Sequence, residues 1–133
     1  MEYQTPATLN QAAPVQNTWY TILDTTLYCR VWRIAVNVED TNETLEVRIT
    51  IDGEVIPSDG YNATHSTDYH IVLMPDAINR TDEIEFTSET RMEYAQGFLI
   101  EGHSVKVEVR KTTAAGVGNL TGIVMYGVLT DVP

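Results

Sequence analysis

Residues 45–56 read LEVRITIDGEVI, and this stretch decides the fold. Leu45, Val47, Ile49 and Ile51 fall on one side of a two-residue repeat; Glu46, Arg48, Thr50 and Asp52 fall on the other. Successive side chains of a strand point to opposite faces, so the pattern predicts a strand with one face in a core and one in water. Asp52-Gly53 follows, a pair that tolerates the positive φ angles of a tight two-residue hairpin turn. The return strand Glu54–Ile56 is short and runs into Pro57, which has no N–H for a ladder and so stops the strand or holds it at an edge. A hairpin with one apolar face needs further strands to cover it.

The flanking chain supplies them. Upstream, Asn17–Thr25 reads as a strand containing Trp19, Tyr20, Ile22 and Leu23. Cys29–Val38 reads as a second, with Trp32, Ile34, Val36 and Val38 on one face and Val31, Arg33, Ala35 and Asn37 on the other. Trp19 and Trp32, being in strands, are assigned to core or interface packing. Downstream, Tyr69–Met74, Glu83–Phe86, Gly97–Glu101 and Ser104–Arg110 continue the series; in the last, Val105, Val107 and Val109 face in while Lys106, Glu108 and Arg110 face out. Pro75–Asp82 reads as a turn or short helical piece and Thr87–Gln96 as one or two helical turns. The closing strand, Leu120–Thr130, is apolar on both faces: Leu120, Val124, Tyr126 and Val128 on one, Ile123, Met125 and Leu129 on the other. Something must cover its back.

Short strands separated by turn residues predict an all-β chain folded as an antiparallel β-sandwich, jelly-roll-like, with a closed up-and-down barrel as the alternative. The expected core comprises Trp32, Val36, Val47, Ile49, Ile71, Leu73, Phe86, Val107 and Val124. Residues 1–16, MEYQTPATLNQAAPVQ, show no period and contain Pro6 and Pro14. They read as an extended N-terminal arm ahead of a sandwich domain spanning 17–133.

At 133 residues the chain fits one domain. It carries 19 acidic against 8 basic side chains, a net charge of −11. Such a chain repels phosphate backbones and anionic lipid, and no cluster of Lys and Arg offsets this locally, which argues against nucleic acid and membrane partners. No basic region followed by an apolar run opens the sequence, and no 18-residue apolar span occurs in it. The single cysteine, Cys29, excludes an intrachain disulfide and a Cys-rich zinc site; a small buried residue in a strand is the simpler assignment. Four Asn-x-Thr triplets, at Asn42, Asn62, Asn79 and Asn119, reflect a Thr-rich composition.

A search for chemistry finds no G-x-S-x-G elbow, no H-E-x-x-H pair and no phosphate loop. His65 and His70, with Asp59 and Asp68, have the composition of a metal site, but no D-x-D-x-D-G string accompanies them and Asp-Gly pairs are accounted for as turns. Glu83 and Glu85 flank Ile84 on a solvent face, with nothing to place them in the cleft that a pair of catalytic carboxylates requires. The reading is a non-enzymatic protein with no cofactor and no metal. The long turn-rich segment Pro57–Asp68 is the candidate partner loop, with Asp59, Tyr61, His65 and the adjoining Tyr69 as its contact residues. Tyr61, Tyr69 and Tyr94 are also the residues that would stack on a sugar, so a carbohydrate-binding module, with glycan as partner, is the alternative function.

QNTWYTI (Gln16–Ile22), RVWRIAVNVEDTNETLEVRITIDG (Arg30–Gly53), FLIEGHSVKVEVRKT (Phe98–Thr112) and GIVMYGVL (Gly122–Leu129) together resemble small β-sandwich structural proteins of tailed phages, prophages and related viruses. The resemblance implies a virion component, such as a capsid decoration, head-fibre or tail-associated protein, assembled as a homo-oligomer on other virion proteins. The arm has too few large apolar residues to fold on itself. It is therefore expected to lie along an adjacent subunit, with Tyr3, Leu9 and Val15 seated in pockets there and Ile123, Met125 and Leu129 in the same interface.

Overall fold

The computed structural model describes residues 2–38, 43–57, 61–63, 70–73, 85–88, 100–112 and 118–129. Twelve strands run through them: β1 (Glu2–Tyr3), β2 (Ala7–Gln11), β3 (Tyr20–Thr25), β4 (Cys29–Val38), β5 (Glu43–Ile51), β6 (Glu54–Pro57), β7 (Tyr61–Ala63), β8 (His70–Leu73), β9 (Glu85–Ser88), β10 (Ile100–Gly102), β11 (Val105–Lys111) and β12 (Leu120–Val128). No helix occurs among the described residues. The strands form two antiparallel sheets. In sheet I, β12 and β4 are the central pair; β1 and β2 line the other edge of β12, β8 and β10 line the other edge of β4, and β9 pairs with β8. Sheet II runs β3-β11-β5-β6, with β7 also pairing with β5.

One core fills the space between them. Sheet I contributes Cys29, Val31, Ile34, Val36, Val38, Leu120 and Val124; sheet II contributes Ile22, Leu23, Leu45, Val47, Ile49, Ile51, Val105, Val107 and Val109. The alternation in 45–51 is thus a buried face, as expected, and so is that of β11. Asp52 and Gly53 both have positive φ (50° and 85°), and Ile51 pairs with Glu54, the geometry of a two-residue hairpin turn.

Two bulges change which residues face inward. In the β4–β12 ladder Met125 pairs with Arg33 but Tyr126 pairs with Val31, leaving Trp32 as an extra residue. The inward set therefore shifts phase, from Cys29 and Val31 to Ile34, Val36 and Val38. Trp32, expected in the core, is only half-buried for this reason. In the β3–β11 ladder Ile22 is the extra residue, and both Ile22 and Leu23 turn inward. Ile22 packs against Gly122 of sheet I: a Cβ at Gly122 would overlap the Ile22 Cδ1 and lie 2.9 Å from its Cγ1. Of the other expected core residues, Val36, Val47, Ile49, Val107 and Val124 are buried. Ile71 and Leu73 fall in β8 and Phe86 in β9, where Ile71 pairs with Ala35 and Phe86 with Val72.

The first sixteen residues do not stand apart in this structure. Ala7–Gln11 pairs with Leu120–Val124, and Glu2–Tyr3 with Gly127–Val128, of the same chain. The short run ATLNQ has the strand period after all. Ala7 and Leu9 pack against the core, while Thr8 and Asn10 are exposed. Leu9 lies opposite Gly122 in the ladder. The stretch Thr87–Gln96, read as helical turns, begins as strand in β9; the rest of it, and Pro75–Asp82, lie outside the described residues.

Candidate functional site

The outward faces of the two sheets hold the candidate surfaces. On sheet I, Ile123 and Met125 occupy alternate outward positions of β12, with Leu129 next in phase beyond its end, and all three are half-buried. Ile123 pairs with Ala35, which is buried on the same face. The Leu129 N–H donates to the Tyr28 carbonyl (2.9 Å), which ties the end of the row to the turn between the sheets. The structure therefore brings Ile123, Met125 and Leu129 into one apolar row. Leu9 lies on the opposite, core-facing side. Tyr3 is in β1, paired with Gly127. Val15 is 61% exposed, with its N–H donating to the Tyr20 hydroxyl (2.9 Å). Of the partner-loop residues, Tyr61 opens β7 opposite Leu45. Asp59, His65, Tyr69 and Tyr94 lie outside the described residues.

The outward face of sheet II is a charged ladder roofed by an indole. Arg48 on β5 grips Glu108 on β11 through Nε (2.7 Å) and Nη2 (3.1 Å). Arg110 on β11 grips Glu46 on β5 through Nε (3.0 Å) and Nη2 (2.7 Å). Lys106 Nζ adds a weaker contact to Glu108 at 3.8 Å. Both guanidinium carbons lie close to the Trp19 ring, Arg48 at 4.3 Å and Arg110 at 4.6 Å from its centroid. Trp19 immediately precedes β3, which neighbours β11, so the indole must reach across β11 to meet Arg48 on β5. Glu108 sits on β11 between these strands and its side chain is only 6% exposed. A carboxylate read as solvent-facing is in effect covered. The hydrogen bonds that Arg48 donates to the Glu108 carboxylate hold its guanidinium above its ordinary pKa.

At one end of the sandwich, Glu101 joins the strand-connecting turns. Its carboxylate accepts from Arg30 Nε (2.9 Å) and from the Tyr28 hydroxyl (2.9 Å). The Arg30 bond, and then the Tyr28 bond, hold the Glu101 carboxyl below its ordinary range against an opposing effect of burial. Tyr28 is pushed up by the same bond. Its ring meets His103 edge-on, with centroids 4.6 Å apart. Asp52 Oδ1 accepts from the N–H groups of His103 (2.7 Å) and Ser104 (3.0 Å), so the hairpin turn also braces the crossing from β10 to β11. Cys29 is buried beneath this end, and burial, with lesser help from Asp52 and Glu101, pushes its thiol to about 11. These contacts fasten turns to one another. Among the described residues no group of three or more His, Cys, Asp or Glu side chains could hold a metal ion.

Sequence reasoning missed the sheet II platform, because it assigned Trp19 to packing and the charged positions to water. In an unbroken two-residue period Trp19 shares the inward phase of Leu23, and only the bulge at Ile22 turns it outward, so the strand's own pattern carried no signal for the platform. No protein-family model, no characterised protein and no solved structure matches this chain.

Proposed function

We propose that this chain is a non-enzymatic structural protein of a virion, a homo-oligomer that seats on a capsid or tail surface. The observation that carries the reading is the outward apolar row of Ile123, Met125 and Leu129 on the same strand that holds the N-terminal segment. A sandwich turns apolar side chains outward where another surface covers them. The strand order supports a jelly-roll-like arrangement. Read by position, sheet I is β1/β2-β12-β4-β8 and sheet II is β3-β11-β5-β6, with the chain changing sheets from β2 to β3, β3 to β4, β4 to β5, β10 to β11 and β11 to β12, as two interleaved Greek keys do. Such sandwiches recur in capsid proteins and in lectins, so the order supports the architecture and leaves the choice of role to the surfaces.

The N-terminal arm belongs to the same reading. In the assembly, residues 1–16 of one copy lie along β12 of a neighbour, in the register they use here on their own chain. The hydrogen bonds are the same in both arrangements, so exchange costs little enthalpy. The connection from β2 to β3 favours it, since Ala13 and Asn17 hold left-handed φ angles of 46° and 61° that a more extended connection releases.

Thr8 and Ile123 are register partners on the outward face. Oxidised T8C/I123C protein is expected to run as covalent multimers on denaturing gels, and the unmodified protein to have a multimeric mass in solution. Antibody to the protein should label purified particles in the electron microscope. A monomeric mass with cross-links only within chains would refute the assembly.

A further inference from the structure

We propose that the Trp19 platform on sheet II is a binding site for a neutral saccharide, with one sugar ring stacked on the indole and its hydroxyls held by Arg48, Arg110 and Glu46. This site is distinct from the apolar row on sheet I and does not depend on it. The platform has the parts that a pyranose requires. The indole is half-buried, laid across β11 and held by two guanidinium groups that are themselves fixed by carboxylates. Each arginine uses Nε and Nη2 on its carboxylate. That leaves Nη1 of both, and Oε1 of Glu46, with no hydrogen bond among the described residues. The Trp19 Nε1–H is likewise uncommitted there. Donors and an acceptor therefore border one aromatic surface, and a hydroxyl group is both donor and acceptor.

Charge selects among ligands. The face balances three basic side chains, Arg48, Lys106 and Arg110, against three acidic ones, Asp24, Glu46 and Glu108, where Asp24 pairs in register with Lys106. It presents no net charge, and the whole chain at −11 repels anions. A cationic ligand would compete with the two guanidinium groups already on the ring. The paired hydrogen bonds of each arginine also order the side chains in advance, which lowers the entropy lost on binding.

The test is affinity electrophoresis of the full chain in native gels cast with a glucan, a mannan or a galactan, with heparin as an anionic control. Trp fluorescence is then titrated with any polysaccharide that retards the protein. The expected result is retardation by at least one neutral polysaccharide and none by heparin, with Trp19→Ala binding about tenfold more weakly or worse. Circular dichroism checks that Trp19→Ala is folded. If it is not, Arg110→Gln and Glu46→Ala take its place, since each keeps the ring and removes a hydroxyl partner; weakened binding by both is then expected. The proposal is overturned by no retardation on any neutral gel, by heparin binding alone, or by folded variants that bind like the parent. It is equally overturned if Trp19→Ala dissociates a multimer without affecting retardation. A monomer that binds a neutral polysaccharide would refute the assembly reading and leave this one standing.

Discussion

Replacing Arg48 by alanine tests whether the outer face of sheet II is a wet surface or a covered one. Arg48 makes both hydrogen bonds of the fork to Glu108, whose side chain is 6% exposed, while Arg48 itself is 34% exposed. Exposed ion pairs contribute about 0.2–1 kcal/mol. Stripping the partner from a buried carboxylate costs about 3–5 kcal/mol, because the remaining charge stays desolvated. Two features place Arg48→Ala below that range. Lys106 remains 3.8 Å from Glu108, and truncating a side chain a third exposed admits water to the carboxylate. A loss of about 2 kcal/mol from the pair and about 0.5–1 kcal/mol from the Trp19 contact gives about 3 kcal/mol in total. With an unfolding entropy of about 2.1 cal/mol/K per residue over 133 residues, this lowers Tm by about 10 °C.

The comparison is Arg30→Ala, which breaks the pair with Glu101, whose partners are 38% and 32% exposed; there the loss is about 1 kcal/mol or less. Adding Glu108→Leu to Arg48→Ala should recover about half of the loss, since no charge is then left buried. Urea denaturation followed by circular dichroism measures all four proteins. Equal and small losses for Arg48→Ala and Arg30→Ala would refute the claim that Glu108 is covered, and a double variant worse than Arg48→Ala would refute the desolvation account.

Three other outcomes follow from the core and the sandwich end. Ile49→Asp puts an unpaired charge at a fully buried position of β5 and should abolish the cooperative unfolding transition, as read by near-ultraviolet circular dichroism. Gly122→Ala forces Ile22 out of its notch and should cost about 1–3 kcal/mol in urea denaturation, with Ile22→Val recovering part of it. The Glu101 carboxyl is held low by Arg30 and Tyr28, so its contribution to stability is complete above the ordinary carboxylate pKa and fades as pH falls below about 4. Glu101→Gln should flatten the acid limb of the stability–pH curve and leave its slope near neutrality unchanged.

Sequence alone determined whatever rests on a two-residue period or on a dipeptide. The buried face of 45–51, the Asp52-Gly53 turn, the inward valines of β11, the burial of Cys29 and the all-β class all follow from side chains that alternate along one strand. Such signals are local, and each is complete within about ten residues. Tertiary structure decided whatever depends on the strand next door. Trp32 leaves the core because β12 pairs with β4 across a bulge, and Ile22 turns inward because β11 does the same to β3; neither phase shift is written in the bulged strand's own pattern. ATLNQ becomes an edge strand only when β12 presents its hydrogen-bonding edge, with Gly122 opposite Leu9. The covered state of Glu108 has the same origin. Its neighbours Arg48 and Trp19 are 60 and 89 positions away along the chain, and only the order β3-β11-β5 sets the indole and the guanidinium group over one carboxylate.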